Sequence, residues 1–163
     1  MPVKTNGLTS RILCLICALS LLSTVLCACG DVIVEPKWVI GVKGGSAAVF
    51  SSLDYGELQE VRVTTETTLP DGGVAEETWQ GVYLRDVLNY LGATAYASVT
   101  LTAADGTTCA YSPALINAPA VILAVKRDGR ELEDQGLSYI QVIAVGQEQN
   151  LWLDQLDSIT VNE

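Results

Sequence analysis

Two periodicities run along the chain. In QEVRVTTETTL, Val61 and Val63 alternate with polar neighbours, and that period of two predicts a half-buried strand. In TWQGVYLRDVLNYLG, Leu84, Val87, Leu88 and Leu91 fall at i, i+3, i+4 and i+7. That spacing predicts an amphipathic helix with one apolar stripe inward and Arg85, Asp86 and Asn89 outward. Gly92 stops the helix as a C′ residue. Upstream, KWVIGVKGG predicts a strand over Trp38 to Val42, halted by Gly44 and Gly45. SSLDYGEL predicts a short helix with Ser51 or Ser52 as N-cap, interrupted by Gly56. PDGGVAEE is expected to be a loop, with Asp71, Gly72 and Gly73 supplying the turn chemistry, and Trp79 to stand in a turn before the helix. Downstream, Asp105-Gly106 and Asp128-Gly129 each divide two strand-like runs and predict hairpins. SPALINA makes one helical turn, YIQVIAV a strand, and LWLDQLDSITV closes the chain with a strand over Ile159 to Val161. Strands dominate, helices are short and no repeat is present, which is an α+β pattern with a mostly β mixed sheet.

The first residues follow a different rule. Lys4 and Arg11 precede an uncharged run from Ile12 to Ala28, the layout of an export signal and too short to be favoured as a permanent span. The ending Leu26-Cys27-Ala28-Cys29 resembles the lipobox of bacterial lipoproteins. That resemblance implies a signal peptide over 1–28, lipidation at Cys29, a tether over 29–36 and a folded domain over 37–163. Acyl chains bury methylenes at about 0.8 kcal/mol each, so more than one chain anchors stably. The protein is then expected on the extracytoplasmic face of the cell membrane, held through Cys29. A secreted protein cut after Ala28, or an uncleaved anchor, are the alternatives.

Charge and cysteine usage change with that cut. The whole chain has 9 basic and 19 acidic residues, a net charge of −10. Losing Lys4 and Arg11 leaves seven basic against 19 acidic residues, or −12. Such a surface argues against nucleic acid and against adhesion to anionic headgroups, so the lipid rather than electrostatics would hold the membrane. Of 5 cysteines, only Cys109 lies beyond Cys29, so no disulfide can form within the domain. Flanked by Thr108 and Ala110 in a strand-like run, Cys109 reads as a small buried hydrophobe.

Candidate chemistry is limited by an absence. With 0 histidines, Ser-His-Asp and Cys-His sites and imidazole metal ligands are excluded. Glu131, Glu133 and Asp134, and the pair Asp154 and Asp157, lack the ligand spacing of an EF-hand and read as solvated faces. GVKGGS with Lys43 lacks the order of a phosphate-binding loop and reads as a strand end. Trp38, Trp79 and Trp152 can line a pocket or seal the core edge, with an indole N–H seeking a partner.

In order and spacing, these segments resemble the sulfite-oxidase-type molybdopterin-binding domain. The stretch Trp79-Gln-Gly81-Val82-Tyr-Leu84-Arg-Asp86-Val-Leu88 matches that family's W-x-G-V-x-L-x-D-x-L. It is followed by Gly92, Asp105-Gly106, VILAVKRDGREL, Gly136 with YIQVIAV, and LWLDQLDSITV; WVIGVKGG and FSSLDYGEL resemble the family's opening strand and helix. The resemblance covers Trp38 to Val161. It implies the sulfite-oxidase-like fold, with the helix stripe packed beneath the cofactor's place. It also implies a molybdenum-binding cysteine after the second strand. Here that region reads VRVTTETTLPDGG, with Thr64, Thr65 and Glu66 where the cysteine should lie, and a hydroxyl is a poor ligand for a soft metal. Thr65 is the residue nearest the ligand position. The family's G-x-P-x-R-L-V appears as Gly136-Leu-Ser138-Tyr-Ile140-Gln141, without proline or arginine, and cations for a pyrophosphate are scarce. The expectation is a membrane-anchored domain without catalytic residues, without a resident cofactor or metal, and with a protein or small-molecule partner. One alternative is a divergent molybdopterin-dependent oxidoreductase in which Thr65 or a partner's residue completes the site. Another is a small-ligand receptor lipoprotein.

Overall fold

The period-two segments pair into sheets. In the computed structural model, residues 34–68, 71–118 and 120–163 are described. The expected export signal and Cys29 lie outside them. One sheet runs β2-β1-β10-β5-β6, from β1 (Val39–Lys43), β2 (Val49–Ser51), β5 (Ser98–Ala103), β6 (Thr108–Tyr111) and β10 (Leu156–Asn162). The other runs β3-β4-β7-β8, with β9 also on β7; these are β3 (Val61–Thr68), β4 (Val74–Tyr83), β7 (Val121–Arg127), β8 (Arg130–Glu131) and β9 (Gln141–Ala144). The β1–β10 pair is parallel and the other pairs are antiparallel, which makes the α+β mixed architecture expected from the sequence. The compact unit formed in this way spans Pro36–Glu163. No helix among the described residues is long and apolar enough to cross a membrane.

The first sheet has one wet face. In β5 and β10, Val99, Leu101, Ala103, Leu156, Ile159 and Val161 are buried and alternate with more exposed residues. The second sheet is covered on both sides at its centre, so β7 reads as the unbroken apolar run VILAV rather than as an alternation. Val121, Leu123 and Val125 enter the main core with Val142 and Ala144 of β9; Ile122, Ala124 and Ile143 point the other way, into a second cluster with Trp79 and Leu132.

Among the described residues three short helices accompany the strands: α1 (Ser52–Tyr55), α2 (Leu84–Tyr90) and α3 (Pro113–Asn117). Ser51 is the N-cap of α1, and the Asp54 carboxylate reaches back to accept from its backbone N–H at 2.8 Å. The α2 stripe of Leu84, Val87, Leu88 and Leu91 is fully enclosed in the main core. Each such burial contributes about 1.5–3 kcal/mol over exposure. Gly92 takes φ +72°, the left-handed C′ conformation expected of it. Asp128 and Gly129 both have positive φ, +52° and +77°, as a two-residue hairpin turn between β7 and β8 requires.

Two expectations fail. PDGGVAEE is not all loop, because β4 begins at Val74, and Trp79 lies within β4 rather than in a turn before the helix. The stretch Val74–Thr78 pairs with Thr64–Thr68 through the backbone ladder. Hydrogen bonding, not an apolar face, holds that end of the hairpin, so hydrophobic period could not reveal it.

A β-bulge sits at the centre of the second sheet. Gln80 pairs with Lys126 but Gly81 pairs with Ala124, which leaves Val125 without a partner. The extra residue reverses the alternation. Arg127, which strict alternation would place on the face of Val125, is turned to the opposite face, against Trp79. Gly81 is required there: a Cβ on it would fall on the Leu123 carbonyl oxygen and the Ala124 Cα.

Candidate functional site

The outer face of the second sheet carries the site, and Trp152 is at its centre. Trp152 follows a 3-10 turn, Gln149–Leu151, which β6 holds from the other sheet. The Tyr111 hydroxyl donates to the Leu151 carbonyl, and the Cys109 thiol donates to that of Asn150 at 3.3 Å. Burial, with Cys109 alongside as the smaller influence, pushes the Tyr111 phenol up, so it keeps its proton. Cys109 is thus a buried small residue, as its setting in the sequence suggested, and it also props this turn. Beyond the turn, Leu153 bridges to Val142. The Trp152 indole N–H donates to the Ala144 carbonyl at 3.0 Å, and its ring meets Trp79 edge-on, 5.9 Å between centroids at 85°. Trp152 is half-buried, with its N–H engaged.

A recess opens on each side of Trp152. One, of about 360 Å³, is lined by Thr64, Thr65, Glu66, Gly146 and Gln149 as well as Trp152. The other, of about 380 Å³, is lined by Glu77, Trp79, Arg127, Gln141, Trp152 and Asp154. Strand register builds both. Trp79 stands opposite Val63 on β3 and Arg127 on β7, and Thr65 is two residues beyond Val63 on the same face. The diagonal places the Trp79 indole N–H on Thr65 Oγ1 at 3.0 Å. On the other flank the Arg127 guanidinium lies 5.7 Å from the Trp79 ring centroid, 3.5 Å from the Glu77 carboxylate, and donates to Gln135 Oε1 at 3.4 Å. Gln141 donates through Nε2 to Asp154 at 2.7 Å.

Buried polar side chains single out this cleft. Among the described residues three polar side chains are buried: Ser51, Thr65 and Gln141. Ser51 serves as a helix cap, while Thr65 and Gln141 line one recess each. Polar groups are costly to bury unless hydrogen-bonded, and Thr65 and Gln141 are each bonded within the cleft, to Trp79 and Asp154. A smaller hollow of about 250 Å³, between Trp38, Tyr139 and Gln155, is lined by none of the three.

Several residues singled out in the sequence therefore meet. Thr65, Trp79 and Trp152 form one cleft, and Asp154, read there as part of a solvated face, is exposed but borders it. Trp38 packs elsewhere, 5.9 Å from Phe50. Asp157 lines the smaller hollow, and Glu131 faces Lys126 at 3.5 Å. The α2 stripe lies in the main core, separated from the cleft by the sheet itself. Gln149 and Arg127 were not singled out, and Gln141 was named only within the altered glycine motif, with no role. Gln141 had a signal, a lone amide inside the apolar run YIQVIAV.

The residues at the cleft do not fit a molybdopterin. A metal centre of that kind takes a thiolate, and Thr65 offers a hydroxyl that already accepts the Trp79 N–H. A pyrophosphate needs cationic or amide donors, whereas the charged residues lining the two recesses are Glu66, Glu77 and Asp154 against Arg127 alone, itself beside Glu77.

Fold and cleft together define a two-sheet α+β domain of the sulfite-oxidase-like kind. The family described as the oxidoreductase molybdopterin binding domain matches residues 37–163, and the chain belongs to that family. Among solved structures, it is similar to the sulfane dehydrogenase SoxCD from Paracoccus pantotrophus, with a TM-score of 0.66 at 14% identity. The likeness covers 79% of this chain and 40% of that one, so the chain spans well under half of that protein's length, and it is a likeness of fold. No curated protein sequence matches the chain significantly.

Proposed function

We propose that this chain is a lipid-anchored, extracytoplasmic binding module: a domain of the molybdopterin-binding family whose cleft serves recognition instead of metal chemistry. One observation carries the reading. Thr65 Oγ1, at the position where the family resemblance calls for a thiolate, is buried and occupied by the Trp79 N–H at 3.0 Å. The negative balance of the cleft supports it, since an anionic cofactor would be repelled there. The test is direct. Full-length protein purified from a host that makes molybdenum cofactor is assayed for molybdenum and, after denaturation, for pterin fluorescence. Far less than one metal per chain is expected; stoichiometric molybdenum would overturn the reading and favour a divergent oxidoreductase.

The anchor rests on sequence: the basic start, the apolar run Ile12 to Ala28 and Cys29 within LCAC. Cys29→Ser is expected to move the protein from the membrane to the soluble fraction. Retention in the membrane would refute lipidation there.

A further inference from the structure

Two free acceptors stand together in the recess that Gln149 also borders. Gln141 is fixed in orientation because its Nε2 donates to Asp154 Oδ1, which leaves Oε1 as the atom without a protein donor among the described residues. Gln141 is 93% buried, being 7% exposed, yet Oε1 is not sealed in the interior, and the side chain lines the recess. Among the described residues no donor reaches the second carboxylate oxygen of Asp154, which lies at the surface. Both are acceptors. Arg127, the recess's cation, is engaged by Glu77, Gln135 and the Trp79 ring. The Trp152 N–H is committed to Ala144, and the half-buried indole lines the recess as an aromatic ring with no donor to spare. An aromatic face beside unpaired acceptors and a carboxylate suits a ligand that carries positive charge and N–H donors.

We propose that the recess between Trp152, Gln141 and Asp154 binds a primary or secondary organic ammonium ion. The Trp152 ring receives the cation, Gln141 Oε1 and the Asp154 carboxylate accept its N–H groups, and the acidic domain draws cations toward the cleft. An uncharged polyol lacks the charge that these groups complement, and a pyrophosphate has the wrong sign. The assignment rests on the reading of the cleft as a binding site without molybdopterin.

The experiment titrates full-length protein, in a nonionic detergent, with n-butylammonium chloride at constant ionic strength set by sodium chloride. Binding is followed by tryptophan fluorescence and by thermal shift. A saturable response is expected, with tetramethylammonium, which has no N–H, binding more weakly. Asp154→Asn is expected to weaken n-butylammonium binding about tenfold, and Gln141→Leu by several-fold, the scale of a partly exposed cation site. Because Asp154 is exposed, its variant keeps the fold and the result is interpretable. No saturable response, an unchanged affinity in Asp154→Asn, or tighter binding of maltose or pyrophosphate would overturn the proposal. Molybdenum measured on the same preparation separates the two failures: metal-free protein that ignores n-butylammonium sinks the ligand assignment alone, while stoichiometric metal sinks the binding-module reading beneath it.

Discussion

The two faces of the second sheet share strands but not a purpose. Its inner face, from Val82 and Leu123 to Val142 and Ala144, is wholly apolar and closes on the α2 stripe. Its outer face mixes Trp79, Ile122 and Ile143 with Thr65, Gln141 and Arg127. Burial of apolar surface accounts for the first. The second keeps polar groups where a fully apolar surface would be more stable, and such departures concentrate at sites that recognise something. The bulge sets this contrast: its unpaired Val125 stays with the core, and Arg127 beyond it is turned outward.

Substitutions at the two faces should separate them. The largest expected effect is on the inner face, where Leu123→Ala leaves a cavity in fully enclosed packing and costs about 3–4 kcal/mol in urea unfolding. It should leave n-butylammonium binding to the folded protein unchanged. Next is Gly81→Ala at the bulge, expected to cost about 2–3 kcal/mol because the new methyl overlaps the β7 backbone. Disturbing the bulge should also displace Arg127, so this variant should affect both stability and the tryptophan emission of the cleft. On the outer face, Thr65→Val strands the Trp79 N–H and is expected to cost about 1–2 kcal/mol with altered tryptophan emission. An unchanged emission spectrum would mean that the bond does not set the indole's position.

The smallest effect is that of Tyr111→Phe, about 1 kcal/mol, which frees the turn carrying Gln149. Its pH dependence has a defined sign. The folded-state phenol is raised above its ordinary 10.0, mainly by burial, so its contribution is full below pH 10 and declines as pH rises from there toward the folded value. The stability gap between wild type and Tyr111→Phe should therefore narrow above pH 10 in parallel thermal melts. A gap that widens with alkali would contradict the buried, donating hydroxyl.

Much of the fold was legible because its determinants are local. The stripe of α2, its stop at Gly92 and the Asp128-Gly129 turn each lie within a few residues of sequence, and the family motif added their order. The polar half of β4 was not legible, since Glu76, Glu77 and Thr78 are held by the ladder to β3 and carry no apolar period. The site was legible in pieces. Thr65 stood out for the sulfur it lacks and Trp79 and Trp152 for their rings, but nothing in the sequence says that Thr65 and Trp79 share a hydrogen bond across fourteen residues. Gln141 could have been found, as an amide amid apolar neighbours, whereas Arg127 could not, since its face depends on the bulge.

By itself, the sequence determined the class of elements, the family, the acidic balance and the absence of histidine, because those follow from residue types and short spacings. Only the tertiary structure decided which side chains meet. Register put Thr65 diagonal to Trp79, one unpaired residue turned Arg127 to the outer face, and a turn pinned from the other sheet set Trp152 between two recesses. Cross-strand pairing and bulges are settled by contacts among residues far apart in the chain, and a local pattern carries no record of them.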